Sequence, residues 1–176
     1  MANVILGLLL LAGPQTIYTL NKHFEQGVSL FYRASLGSLR SALTGLLARG
    51  EVEFETTVER GRSKKTYRPT QAGTDAFFTW LTGPLVGSDL ETAALAKLYF
   101  LGFLEDADDR RAVLDDIVQR IEHDEAALIA LETELDGLDI PAEHSGFFAY
   151  QRATLAYGLA SHRLGAEFFA RLRDAE

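Results

Sequence analysis

The sequence predicts a mostly α-helical protein: three N-terminal helices and a β-hairpin in winged helix-turn-helix order, then an α-helical tail. Three observations predict it. Apolar residues recur at three- and four-residue steps through most of the chain. Between Gly50 and Pro69 the period drops to two around a turn containing Gly61. Charge is uneven, with a basic front and an acidic back.

The elements follow in order. Asn3–Leu11 is a short apolar helix ended by Gly13-Pro14. Gln15–Gln26 is a second helix, with Ile17, Leu20 and Phe24 at helical spacing and Gly27 ending it. Ser35 is placed to cap a third helix reaching about Arg49, closed by Gly50. Val52, Phe54, Thr56 and Val58 then alternate with polar residues, as a half-buried strand does. Glu59–Ser63 turns the chain and Lys64–Arg68 returns as a second strand. Thr70 caps a fourth helix, Gln71–Leu81, after which Gly83-Pro84 and Gly87 read as a linker. Beyond it lie an apolar helix over Ser88–Leu104, a long helix over Asp106–Asp136 and a final one over Glu143–Arg173. Two domains are expected, residues 1–83 and 84–176.

Composition narrows the function. The 176 residues include no cysteine, which excludes disulfides, a thiol nucleophile and a thiolate metal site. The apolar run Val4–Ala12 has no basic stretch before it and is too short to span a bilayer, so no membrane association and a cytoplasmic location are expected. Up to Leu85 there are nine basic and six acidic residues; after it there are eight basic and nineteen acidic. The net charge of −8 therefore hides a cationic front. His23, His123, His144 and His162 lack metal-ligand spacing, and no phosphate loop, nucleophile elbow or catalytic carboxylate pair is present. Neither an enzyme nor a cofactor or metal site is expected.

The front half has the order of a nucleic-acid reader. In the third helix Leu39, Leu43, Leu46 and Leu47 form a core face. The opposite face carries Gly37, Arg40, Ser41, Thr44 and Ala48, with Ser38 at its border. Short side chains let a helix approach a major groove closely, and Arg40 can contact guanine or phosphate. The hairpin tip gathers Arg60, Arg62, Lys64 and Lys65, suited to phosphate. The plain alternative for all of these is a solvated surface.

The segments Ile5–Leu9, Ile17–Leu20, Ser35–Leu39, Ala42-Leu43, Leu46-Leu47, Arg49-Gly50, Arg62–Tyr67 and Thr70–Gly73 occur in an order that resembles PadR-type regulators over essentially the first 80 residues. The acidic helical tail is similar to the longer subgroup of that family. The resemblance implies a homodimeric repressor of double-stranded DNA operators, relieved by a small effector. By match of position it implies DNA contacts at Tyr18, Ser35, Ser38, Arg62 and Lys64. Arg40 and Ser41 depart from the Tyr, and the Pro or basic residue, common there, so a different operator is expected.

Two long helices with apolar stripes need cover, and a second copy of the chain is the expected cover, with Phe147, Leu155 and Leu159 in the contact. Aromatic residues cluster near the linker. Most suit a core, but the resemblance raises a pocket for a flat aromatic effector, with Trp80, Tyr99 and Phe103 as its candidates. The competing function is a winged-helix protein-interaction module that does not read DNA, which the acidic total charge favours.

Overall fold

A computed structural model describes the chain except Arg33, Arg60, Gly61 and Ser88, and except the side chains of Glu59 and Arg62. It forms two compact units, Met1–Phe103 and Leu104–Glu176.

In the first unit α1 (Ala2–Ala12) is the central helix. Val4 to Leu9 are all buried, as an element apolar on every side requires. The helix α2 (Ile17–Gln26) starts two residues later than expected because Thr16 is its cap, accepting from the Thr19 amide at 3.2 Å. That frees Gln15 for a different use. Its backbone N–H and C=O bond to Tyr67 at 2.9 and 2.7 Å, adding a one-residue rung to the hairpin. A 3₁₀ turn (Val28–Leu30) leads to α3 (Leu36–Ala48).

The hairpin is β1 (Val52–Glu59) paired antiparallel with β2 (Arg62–Pro69), Phe54 opposite Tyr67 and Thr56 opposite Lys65. Here the structure corrects the expected half-buried strand. Val52 is buried, but Phe54 is 38% and Val58 72% exposed, because the hairpin runs past the edge of the helical core after its first rungs. The helix α4 (Gln71–Thr82) is capped by Thr70, whose hydroxyl accepts from the Gly73 amide and donates to the Gly50 carbonyl at 2.6 Å.

The next helix, α5 (Leu90–Phe100), is shorter than expected. Asp89 caps it at the Thr92 amide, and Leu101–Phe103 tightens into a 3₁₀ turn. It belongs to the first unit, so Gly83 marks the end of α4 and not the edge of that unit. Lys97 of α5 is buried, and its ammonium donates to the Gly83 carbonyl, satisfying an end group of α4.

The second unit is an antiparallel hairpin of α6 (Ala107–Asp136) and α7 (Ser145–Asp174), joined through a 3₁₀ turn at Ala142–His144. Ion pairs step along it: Arg110–Glu176 at 2.7 Å, Asp115–Arg173 at 3.1 Å, Glu125–Arg163 at 3.0 Å, and Asp136 with Arg152. Gly158 and Gly165 of α7 face Leu128 and Ile121, so the helices pack closely. Of the expected α6 stripe, Leu114, Ile117 and Ile121 are buried, while Leu131 is exposed. No helix among the described residues is long and apolar enough to cross a membrane.

Candidate nucleic-acid interface

The leucines of α3 fix its orientation. Leu39, Leu43 and Leu46 are fully buried and Leu47 is half-buried. One consequence is that Gly37, Arg40, Ser41, Thr44 and Ala48 are all exposed on the other side. Arg40 makes no ion pair among the described residues. Other arginines nearby are already engaged: Arg49 holds Glu51 through two bonds of 2.9 and 2.8 Å, and Arg68 holds Glu53 at 2.9 Å. The hydrogen bond to Glu51 holds the Arg49 guanidinium pKa above its ordinary value. Arg40 is therefore the cation that α3 keeps available for an anionic partner.

The serines at the start of α3 have unequal roles. Ser35 Oγ accepts from the Ser38 amide at 3.1 Å, and Ser38 Oγ accepts from the Ser35 amide at 2.8 Å, a reciprocal capping box. The Ser38 hydroxyl also donates to the Ser35 carbonyl at 2.8 Å. Its single proton is thus committed, and Ser38 acts as a cap. Ser35 is more exposed, and its only outgoing bond is a long one of 3.3 Å to Ser38 Oγ, so its hydroxyl can turn outward. Thr44 donates back to the Arg40 carbonyl at 2.9 Å and so presents its methyl and lone pairs outward. Tyr18 stands 71% exposed in the first turn of α2.

The wing splits the basic residues. Side chains alternate across a strand, so Lys64 and the Arg62 position share one face with Glu53, Glu55 and Arg68. Lys65 lies on the other, with Phe54, Val58 and Tyr67. Its ammonium sits 4.1 Å from the centre of the Phe54 ring, a cation–π contact worth about 0.5–1 kcal/mol at an exposed site. Lys64 and Lys65, expected at one basic tip, therefore lie on opposite faces of the hairpin. Arg60 and the Arg62 side chain lie outside the described residues.

A helix pair feeding α3, a free outer face on α3 and a projecting two-stranded hairpin after it define the arrangement. This is a winged helix-turn-helix unit. No protein-family model matches the chain, and no curated protein matches it. Solved structures are similar to it along nearly the whole chain. One is Bacillus subtilis PadR in complex with operator DNA, 19% identical, covering 99% of this chain and 97% of that one, with a TM-score of 0.44. Another is smu.1604c from Streptococcus mutans, at 24% identity, 97% and 96% coverage and a TM-score of 0.44. A third is the PadR-like transcriptional regulator BC1756 from Bacillus cereus, at 22% identity, 99% and 96% coverage and a TM-score of 0.40.

The candidate effector residues of the winged-helix unit do come together. Trp80 and Phe103 both stack on Phe77, with centroids at 5.8 and 5.2 Å, and both also reach Phe100. Phe77 and Phe100 are fully buried, so this cluster fills the interior between α1, α4 and α5. Tyr99 lies at its margin, 41% exposed, touching Phe100 on one side and Phe31 on the other. The contact with Phe31, with a Thr92 hydroxyl bond to the Phe31 carbonyl at 3.3 Å, ties α5 to the connection between α2 and α3. Nothing in the sequence periodicity pointed to that tie. Among the described residues no group of His, Asp and Glu could hold a metal ion.

The dimer candidates separate. Leu159 is buried and Leu155 half-buried on the side of α7 that packs against α6, which corrects the assignment of Leu159 to a contact with another chain. Phe147 lies on the opposite side with Tyr150, Tyr157, Leu164 and Phe168, all exposed.

Proposed function

We propose that the protein is a sequence-specific DNA-binding transcriptional regulator of PadR type, acting as a homodimeric repressor that a small flat effector releases. Arg40, which makes no ion pair among the described residues, carries the reading from the leucine-free side of α3. A groove-sized helix with short residues and one uncompensated guanidinium suits a major groove, and the capped start of α3 adds outward amides and the Ser35 hydroxyl for phosphate. Ser41 and Thr44 stand beside Arg40 as base-edge partners, and Tyr18 and Lys65 of the wing as backbone partners.

Dimerisation rests on α7. Phe147, Tyr150, Thr154, Tyr157, Ser161, Leu164 and Phe168 alternate three- and four-residue steps along its exposed side, the spacing of a coiled-coil seam. A second copy of α7 is the complementary occupant, and two-fold pairing supplies the two reading heads that paired half-sites need. For release, Tyr99 is the entry point: an aromatic ligand displacing it from Phe31 would loosen the α2–α3 connection that sets the pose of α3.

The exposed Phe54 and Val58 favour the second reading, a wing that docks on a protein. One experiment separates the two. A labelled duplex from upstream of the coding region is titrated with the full chain, alongside an unrelated duplex, as KCl is raised. DNA reading gives preference for the upstream duplex and a steep fall in affinity with salt. Arg40→Ala should abolish the preference while leaving most of the binding to unrelated duplex. Equal, salt-insensitive binding, or none, would reject it.

A further inference from the structure

We infer that the wing grips DNA with the face that carries Lys65, held in place by Phe54, and that the neighbouring Lys64 is not a phosphate contact. The inference deepens the DNA-binding reading above and rests on it.

The register decides which residues travel together. Glu53 and Glu55 share one face of β1, and Lys64 and Arg68 share the same face on β2. Arg68 is already spent on Glu53 at 2.9 Å and Glu55 at 3.7 Å. Presenting Lys64 to a phosphate would turn the carboxylates of Glu53 and Glu55 toward the same strand. The repulsion offsets the gain.

The other face has no acidic position at all. Lys65 is its single charge, placed opposite Thr56 and diagonal to Phe54 and Val58. Val52, at the base of this same face, is buried in the core of the first unit. The Phe54 ring beneath the ammonium restricts a four-carbon stem that would otherwise lose its rotamer freedom on binding. Lys65 is thus a cation on an uncompensated surface, ordered before the phosphate arrives.

The test measures affinity of the full-length chain for a short duplex of unrelated sequence as KCl is raised, and reads the slope of log affinity against log salt. Lys65→Gln is expected to lower that slope by about one per chain. Lys64→Gln is expected to leave it unchanged. Phe54→Leu keeps the apolar bulk but removes the ring, and should weaken binding in the presence of Lys65 yet add nothing to Lys65→Gln; Phe54→Tyr should restore it. Circular dichroism checks that each exposed-site variant is folded. A slope lowered as much by Lys64→Gln as by Lys65→Gln, or untouched by Lys65→Gln, overturns the face assignment while leaving DNA binding intact. If the unaltered chain binds no duplex, the DNA reading fails and this inference with it.

Discussion

Gly73 sits where the first turn of α4 crosses the backbone of Glu51. A Cβ there would stand 1.9 Å from the Glu51 carbonyl oxygen, which itself accepts from the Thr70 amide at 3.0 Å. Backbone cannot swing aside as a side chain can. Gly73→Ala should therefore destabilise the first unit by about 1–3 kcal/mol, seen as a lower melting temperature. No loss of stability would mean that α4 and Glu51 are farther apart than described. Ser35 allows a cleaner separation of folding from binding. Asp caps a helix about as well as Ser, so Ser35→Asp should keep the melting temperature within a degree or so while repelling phosphate. The expected outcome is normal thermal unfolding with weakened duplex binding. Ser35→Ala, by contrast, should cost about 1 kcal/mol of stability.

Among the elements, α5 has a larger part than its composition suggests. Tyr99 and Thr92 reach the α2–α3 connection at Phe31, and a Cβ on Gly27 would lie 2.7 Å from the Tyr99 hydroxyl. Tyr99→Ala should speed hydrogen exchange at the amides of Leu30, Phe31 and Tyr32, whose bonds close that turn, and leave α6 and α7 amides protected. Unchanged exchange at those three amides would remove α5 from any role in positioning α3. The limits of reading such elements from sequence are physical. The α3 faces were legible because three buried leucines at three- and four-residue steps admit one orientation. The hairpin was legible as a pairing but not in its burial, since alternation reports which residues share a face and not whether anything covers it. The opposed Lys64 and Lys65 follow from pairing register, which a turn of undetermined length leaves open. The tie of α5 to Phe31 depends on a contact about 60 residues apart, and no local pattern encodes it.

Across the molecule, α7 has two apolar sides. One meets α6 in a register set by ion pairs spaced about three turns apart; the other, with Phe147, Tyr150, Tyr157 and Leu164, is exposed. Tyr157 is 76% exposed, so Tyr157→Glu should leave the helix content intact and convert the proposed dimer to a monomer, measured by sedimentation. Leu159→Glu should instead unfold the α6–α7 pair, because that position is buried against the chain's own helix. A Tyr157→Glu chain that still sediments as a dimer would move the subunit contact elsewhere.

The residues Leu104–Glu176 include seventeen acidic and seven basic side chains. Two such bodies brought side by side repel one another, and dissolved ions weaken that repulsion. Under the proposed function, the same ions compete for the phosphates of the operator. Assembly and operator capture would then respond to ionic strength in opposite directions. Occupancy at a fixed, low protein concentration should rise, crest and decline as the medium becomes more saline, making osmotic history an input to the switch without any dedicated sensor.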